Sequence, residues 1–481
     1  MADRADSPDE RAWWQIVRAS LRGEPQDCTR GPLTRSIWLL AIPMVLEMAL
    51  ESSFALVDIY FVSRLGDAAV AAVGVTESML TIVYAFGIGL AMATTALVAR
   101  RVGEKNLDGA VRGASAAIVL GIGLGVALGL PGLLFPRTLL GWMQASPEVI
   151  EAGSGYTRAV LGGSGVVLLL YLNNAIFRGA GDPALALRAL LLANGINIVL
   201  DPCLIFGWGP FPRMGVTGAG VATLIGRSAG VLYQFWMLRR GAGAVALRGP
   251  AMSVERPILA ELVRLSTGGV AQLFIATASW VALMRIVAPF GKEVLSGYTI
   301  AIRIVIFALM PAWGLANAAA TLVGQNLGAR QPERAERAVW ITGFYNMLFM
   351  CVVMATFLTF APWLLSWFTD NPATHEVGVR ALRTLSYGYI FYAWGMVIAQ
   401  AFNGAGDTVT PTWINFFCFW CFQIPLAWAL ARPFEFGPGG VFWAVCIAEA
   451  VLAGVALALF RRGRWKEIRL APDVATPSGS H

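Results

Sequence analysis

Apolar stretches of membrane length recur from one end of the chain to the other, and this limits its possible folds more than any other feature. They lie at roughly 37–62, 69–98, 114–135, 156–177, 184–206, 216–238, 265–288, 294–323, 339–360, 380–402, 411–430 and 440–460. A helix rising about 1.5 Å per residue needs about 20 residues to cross a hydrocarbon core about 30 Å thick, so each stretch can span a bilayer. None shows the alternating ten-residue pattern of a barrel strand. Composition agrees, with 57% apolar and 14% charged side chains against about 25% charged in soluble proteins. The expected fold class is an all-α integral membrane protein of twelve transmembrane helices.

Basic residues set the orientation. With the N-terminus placed in the cytoplasm and basic residues near span ends counted with the adjoining segment, the inner segments hold 25 of the 36 Lys and Arg, the outer loops eight, and the span interiors three, Arg227, Arg285 and Arg303. This asymmetry puts both termini on the cytoplasmic side of a bacterial plasma (inner) membrane. The net charge of +7 is then a topological signal, and nucleic acid is not among the expected partners. The first thirty-odd residues mix Arg, Asp, Glu and Trp without a cleavable apolar core and read as a cytoplasmic leader. Enzyme chemistry lacks residues: there are two His, His375 and His481, three Lys, and no GxxxxGK[ST] loop for a nucleotide. Cys418 and Cys421 make a CxxC, but inside an apolar span without partner ligands the pair reads as packing. No cofactor is expected.

Laid on itself at an offset of 225, the chain repeats. Gly66 matches Gly291, Val98 matches Val323, Gly103 matches Gly328, Ala110 matches Ala335 and Phe177 matches Phe402. VARRVGEKNLDGA (98–110) lies on VGQNLGARQPERA (323–335), and FRGAGD (177–182) on FNGAGD (402–407). Two six-helix halves that both start on the cytoplasmic side form a parallel repeat about an axis along the membrane normal. The expected organisation is a leader (1–33), a first lobe (34–238), a cytoplasmic linker (239–264), a second lobe (265–460) and a cytoplasmic tail (461–481). The GAGD strings read as turns, with Gly179 and Gly404 as left-handed caps and Asp182 and Asp407 capping the next helix.

The first span, IWLLAIPMVLEMALESSFALVDIYFV, holds three carboxylates and a proline. At about 100° per residue, Glu51 lies about 40° and Asp58 about 20° from Glu47, so the three acids form one stripe. An acid near mid-membrane costs at least ~2.5 kcal/mol when exposed to lipid, so the stripe must face the bundle interior or a watery cavity. Pro43 frees a backbone carbonyl and is a natural kink point. Glu77 in the second span reads either as an arginine's partner or as part of the cavity. Tyr156, Asn173 and Asn174 follow in the fourth span, and Asn197-x-x-x-Asp201 shares one face of the fifth. Thr217 and Thr223 lie in the sixth. In the second half the only carboxylate clearly within a span is Glu449; Gln272 stands where Glu47 does and Leu283 where Asp58 does. Gln272, Asn317, Asn346, Tyr392 and Gln400 are left to line a passage.

With the twelve spans, the 6+6 repeat, the VDIYFVSRLG end of the first helix and GAGD in both halves, the chain resembles a multidrug and toxic compound extrusion (MATE) transporter over about residues 32–460. The resemblance is to the DinF-like branch, because the acids that the NorM-like branch places on helices seven and ten are absent. It implies a cation site in the first lobe at Asp58, Asn197 and Asp201, with Tyr156, Asn174 and, in preference to Thr223, Thr217; the coupling ion would be H+ or Na+, the latter held at Asp58, Asn197 and Asp201. It implies a hinge at Pro43. Glu47, Glu51, Glu77 and Gln272 are expected to face the cavity. The function implied is secondary active efflux of cationic or amphipathic drugs by antiport, in a monomer contacting membrane lipids. The alternative is a flippase for a lipid-linked oligosaccharide or related lipid, which shares the two-lobed plan.

Overall fold

The computed structural model describes residues 8–23, 27–241, 243–248 and 253–470. Every regular element among them is helical. A leader helix, Pro8–Arg22, precedes the first span, Leu33–Ser63. The second to sixth spans are Asp67–Gly103, Leu107–Leu134, the pair Pro147–Gly162 and Ser164–Ala180, Pro183–Phe206 and Val216–Arg240. The seventh to tenth are Arg256–Val287, Lys292–Gly328, Pro332–Ser366 and the pair Pro372–Ser386 and Tyr389–Ala405. The eleventh runs from Val409 to Ala431 and the twelfth is Pro438–Arg461. Among the described residues, nine helices are long and apolar enough to cross a membrane, and the bent fourth span makes a tenth. The other two fall short for visible reasons: Val216–Arg240 carries Arg227 and Gln234, and the tenth span is broken at Tyr387 and Gly388.

Local sequence explains the joints. Proline opens helices at Pro147, Pro183, Pro332, Pro372 and Pro438, where its missing N–H has no partner to lose. Asn106, Ser146 and Asn371 cap three helices by accepting from backbone N–H groups two or three residues on. The fourth span bends by 40° at Gly163, and the tenth breaks at Gly388, its counterpart at the repeat offset. In the eleventh span Phe416–Gln423 forms a π-helix just before Pro425. A proline ring clashes with the carbonyl four residues earlier, and a wider turn relieves that clash.

The halves meet along the first, second, seventh and eighth spans, and glycines set how closely. At the end bearing the basic loops, a Cβ on Gly103 would stand 2.0 Å from the Gln325 carbonyl, and one on Gly328 would stand 2.2 Å from that of Arg100. The paired loop glycines of the repeat are thus the interface between lobes. Gln325 donates from Nε2 to the Gly179 carbonyl (3.0 Å), Thr321 to that of Arg178 (3.2 Å), and Arg100 to those of Ala405 (3.3 Å) and Ile468 (2.8 Å). The GAGD turns are built differently from the sequence expectation. The left-handed caps are Gly181 (φ 88°) and Gly406 (φ 87°), while Gly179 and Gly404 remain helical and are glycine because neighbouring backbone leaves no room for a side chain: Cβ atoms there would lie 3.0 Å from the Thr95 carbonyl and 2.2 Å from that of Ala320. Asp407 caps by accepting from the Thr410 N–H (3.0 Å). Asp182 makes no side-chain cap bond.

Large apolar side chains cover the outside, as a bilayer requires. Val119, Ile122, Val126, Leu130 and Leu133 form one exposed face of the third span at helical spacing.

Candidate functional site

The acids of the first span do not form one site. Eleven residues separate Glu47 from Asp58, about 16 Å along a helix, and the structure gives each its own surroundings.

Around Asp58, the fifth span supplies Asn197 and Asp201, and the sixth supplies Thr223. Asn197 donates from Nδ2 to Asp201 Oδ1 (3.2 Å) and to Thr223 Oγ1 (3.3 Å). The Asp58 and Asp201 carboxyl groups are within hydrogen-bonding reach of each other. Asp201 is fully buried, and Asp58 Oδ1 and Asp201 Oδ2 are buried without a hydrogen-bond partner. Two facing carboxylates cannot both keep a full charge cheaply, so the pair calls for a shared proton or a bound cation. Tyr156 is buried within electrostatic reach of Asp58. The site opens on a cavity of about 430 Å³ whose walls include Asp58, Asn197, Thr223, Glu77, Tyr84 and Arg227. Arg227 donates to the Tyr84 hydroxyl (3.4 Å) and faces Asp58 electrostatically. Glu77 lies on the cavity wall and also within electrostatic reach of Arg303 and Arg227.

The second cluster lies toward the basic end. Glu47, 1% exposed, accepts from Asn174 Nδ2 (2.9 Å), and Asn174 Oδ1 accepts from Gln234 Nε2 (2.5 Å). Arg178 is within electrostatic reach of Glu47. Between the clusters, Glu51 accepts from the Tyr171 hydroxyl (3.1 Å) and borders both the first-lobe cavity and a central cavity between the lobes.

Three placements differ from the sequence reading. Asn174 belongs with Glu47 and not with Asp58: eighteen residues, about 27 Å of helix, part it from Tyr156. Glu47 is accordingly buried in that polar cluster instead of lining the first-lobe cavity. Thr217 does not join Asn197 either. Its hydroxyl lies where a side chain on Gly155 would collide, and six residues, about 240° of rotation, turn it away from the face that Thr223 presents. Gln272 sits in the second lobe, donating to Asn403 Oδ1 and the Thr408 carbonyl (both 3.1 Å). Pro43 is buried where the first span presses on the eighth: a Cβ on Gly314 would meet the Met44 carbonyl at 2.6 Å.

The sequence reading overlooked Thr223, Arg227 and Gln234 as a set. They are spaced 4 and 11 residues apart, as Glu47, Glu51 and Asp58 are, on a span running the opposite way. The stripes meet end to end, Asn197 joining Thr223 to the Asp58 pair and Asn174 joining Gln234 to Glu47. An arginine inside a span was the available signal. Among the described residues no group of three or more His, Cys, Asp and Glu is placed to hold a metal ion.

Comparison with known proteins places this geometry. The MatE family model matches residues 43–203 and again 270–429, one match in each half of the repeat. "Probable multidrug resistance protein NorM" of Thermotoga maritima is 26% identical over 437 residues, covering 89% of this chain and 92% of that one. "Multidrug export protein MepA" of Staphylococcus aureus is 23% identical over 434 residues, covering 89% and 93%. A solved structure titled "Outward-facing conformation of a multidrug resistance MATE family transporter of the MOP superfamily" superposes with a TM-score of 0.86 at 27% identity, over 92% of this chain and 99% of the other.

Proposed function

We propose that this chain, which belongs to the MatE family of multidrug extrusion transporters and is no enzyme, exports cationic or amphipathic organic molecules by exchange for inward-moving H+ or Na+. One observation carries the reading: Asp58 and Asp201 face each other in the first lobe, each with a buried, unpartnered oxygen, while Asn197 ties Asp201 to Thr223. Protonation of the pair, or a sodium ion held by the carboxylates with the side-chain oxygens of Asn197 and Thr223, neutralises the site; reopening to the other face lets the ion leave. Arg227 supplies a fixed positive charge beside the pair, so the site need not retain its ion in every state. Glu51 and Glu77 give the cavity walls a negative field that draws cations in.

The lobes are the moving bodies. In the described state they are sealed at the basic end through the Gly103 and Gly328 contacts, and an opposite state requires that seal to part. On this reading the positive-inside asymmetry puts the sealed end and both termini on the cytoplasmic side, and the protein works in a bacterial inner membrane. The chain acts as a monomer on this reading, because each copy holds both lobes and a complete acid pair.

The test is purified protein in liposomes, with a pH or a sodium gradient imposed separately and ethidium movement followed beside the flipping of a fluorescent lipid. Ethidium export driven by one of the gradients is the expected result. Lipid flipping without gradient-driven ethidium movement overturns the reading and points to the flippase.

A further inference from the structure

The second lobe contains a carboxylate for which the ion site has no use. Glu449, on the twelfth span, is 3% exposed, and its Oε1 is buried without a hydrogen-bond partner. The Tyr392 hydroxyl is within hydrogen-bonding reach of the carboxyl group, and no Lys or Arg among the described residues lies within electrostatic reach of it. A buried acid left so needs a counter-charge from outside the chain or a proton.

Glu449 lines a cavity of about 250 Å³. Its walls include Trp280, Trp313, Tyr392 and Phe419, four aromatic rings around one carboxylate. Phe419 comes from the π-helix Phe416–Gln423, a distortion that often marks functional sites. At the other end, Gln272 and Gln400 are bonded to Asn403, with Nε2 of Gln272 donating to Asn403 Oδ1 (3.1 Å) and Asn403 Nδ2 donating to Gln400 Oε1 (3.4 Å). Those amides satisfy one another, so Glu449 is the group in this cavity that asks for a partner. Met310, Trp313, Gln400 and Asn403 also border the central cavity, so the chamber adjoins the space between the lobes. Aromatic faces with one desolvated negative charge select a flat organic cation: the rings take the delocalised positive charge and the apolar body, and the carboxylate takes the net charge.

We propose that this second-lobe chamber is the binding site for the exported aromatic cation, with Glu449 as its counter-charge. The assignment rests on the transport reading above and adds a division of labour to it: the coupling ion binds in one lobe and the organic cation in the other. Displacement of one by the other is then not a contest for a single carboxylate. It passes through the movement of the lobes.

Equilibrium binding of ethidium to the full-length protein in nanodiscs, followed by fluorescence anisotropy, tests this, with neutral Nile red as the uncharged probe. Glu449→Gln keeps the shape of the side chain and removes the charge; ethidium affinity should fall at least about tenfold while Nile red affinity changes less than about twofold. Trp280→Leu keeps the carboxylate and removes a ring, and should weaken ethidium about threefold or more. Equal ethidium affinity in wild type and Glu449→Gln overturns the proposal. So does equal loss of both probes, which would mean that the variant had only damaged the fold. Should Glu449→Gln fail to elute as a monodisperse protein, Trp280→Leu decides alone, and unchanged ethidium affinity there overturns the proposal. Wild-type protein that binds no ethidium contradicts the transport reading itself, an outcome separate from either variant result.

Discussion

At position 58 the first lobe has an aspartate within hydrogen-bonding reach of Asp201, beside Thr223 and Arg227. At the matching position of the second lobe, Leu283 is fully buried in an apolar cluster with Tyr298, Met350 and Phe442. At 47 the first lobe has Glu47 joined to Asn174 and Gln234; at 272 the second has a neutral glutamine joined to Asn403. The shared features are those of the backbone. Gly103 and Gly328 press the lobes together, Gly163 and Gly388 stand at the breaks, and Gly181 and Gly406 end the helices in left-handed geometry. Close backbone approach constrains a position to glycine on both sides of the repeat, whereas a polar side chain is needed only where it has chemistry to perform. The lobes thus keep one architecture and hold acids in different places, paired near Asp58 in the first and single at Glu449 in the second.

The comparison breaks most readily at the acid pair. Asp58→Asn and Asp201→Asn should each reduce gradient-driven ethidium export in liposomes to background, with the double variant little worse than either, because the two carboxyls act as one unit. Placing an acid in the second lobe by Leu283→Asp should not restore export to the Asp58→Asn protein. Wild-type pH dependence of pumping in Asp58→Asn would move the coupling site to Glu51 or Glu77.

The sixth span sharpens the contrast at finer grain. Thr223→Val removes the hydroxyl that Asn197 reaches and should raise the half-activating concentration of the coupling ion about tenfold, the scale of a hydrogen bond within a charged network. Thr217→Val, on another face, should stay within about twofold. Reversal of that order in a transport assay would put the wrong threonine at the site.

Pro43 comes next. The first span holds it against Gly314, so Pro43→Ala should leave folded protein abundant by fluorescence size-exclusion while slowing turnover several-fold, as changes in gating elements do. Turnover at the wild-type rate would reduce this proline to packing.

The smallest effect separates the twin GAGD turns. Burial, partly offset by Arg188 and by the backbone N–H groups of Leu185 and Ala184, pushes the Asp182 carboxyl up to about 7. A carboxyl raised in the folded state contributes stability that is complete below its ordinary value of about 4 and is lost as pH rises through about 7. Asp182→Asn should therefore raise Tm by a few degrees at pH 8 and match wild type only near pH 4. Asp407 accepts from the Thr410 N–H at 3.0 Å and its hydroxyl at 2.6 Å, so Asp407→Asn should lower Tm at both. Identical pH profiles for the two variants would mean that the turns are equivalent after all.

Chain length, apolar spacing and the 225-residue offset by themselves determined the helical membrane fold, its twelve spans and its duplication, since a bilayer allows a helix of that length and little else. The asymmetry of acids between the halves was equally legible, and the family resemblance named Asp58, Asn197 and Asp201, which the structure brings together. Three things waited for the tertiary structure. One was the separation of Glu47 and Asn174 from the Asp58 pair, which depends on where antiparallel helices lie along each other and not on any spacing within one of them. Another was the choice of Thr223 over Thr217, set by the rotation of the sixth span about its axis, to which a sequence of mixed small and polar residues gives almost no amphipathic direction. The last was the meaning of the repeated glycines and of Glu449: a missing side chain and a lone acid look the same in a sequence whether they face lipid, backbone or a cavity, and only the neighbouring helices decide which.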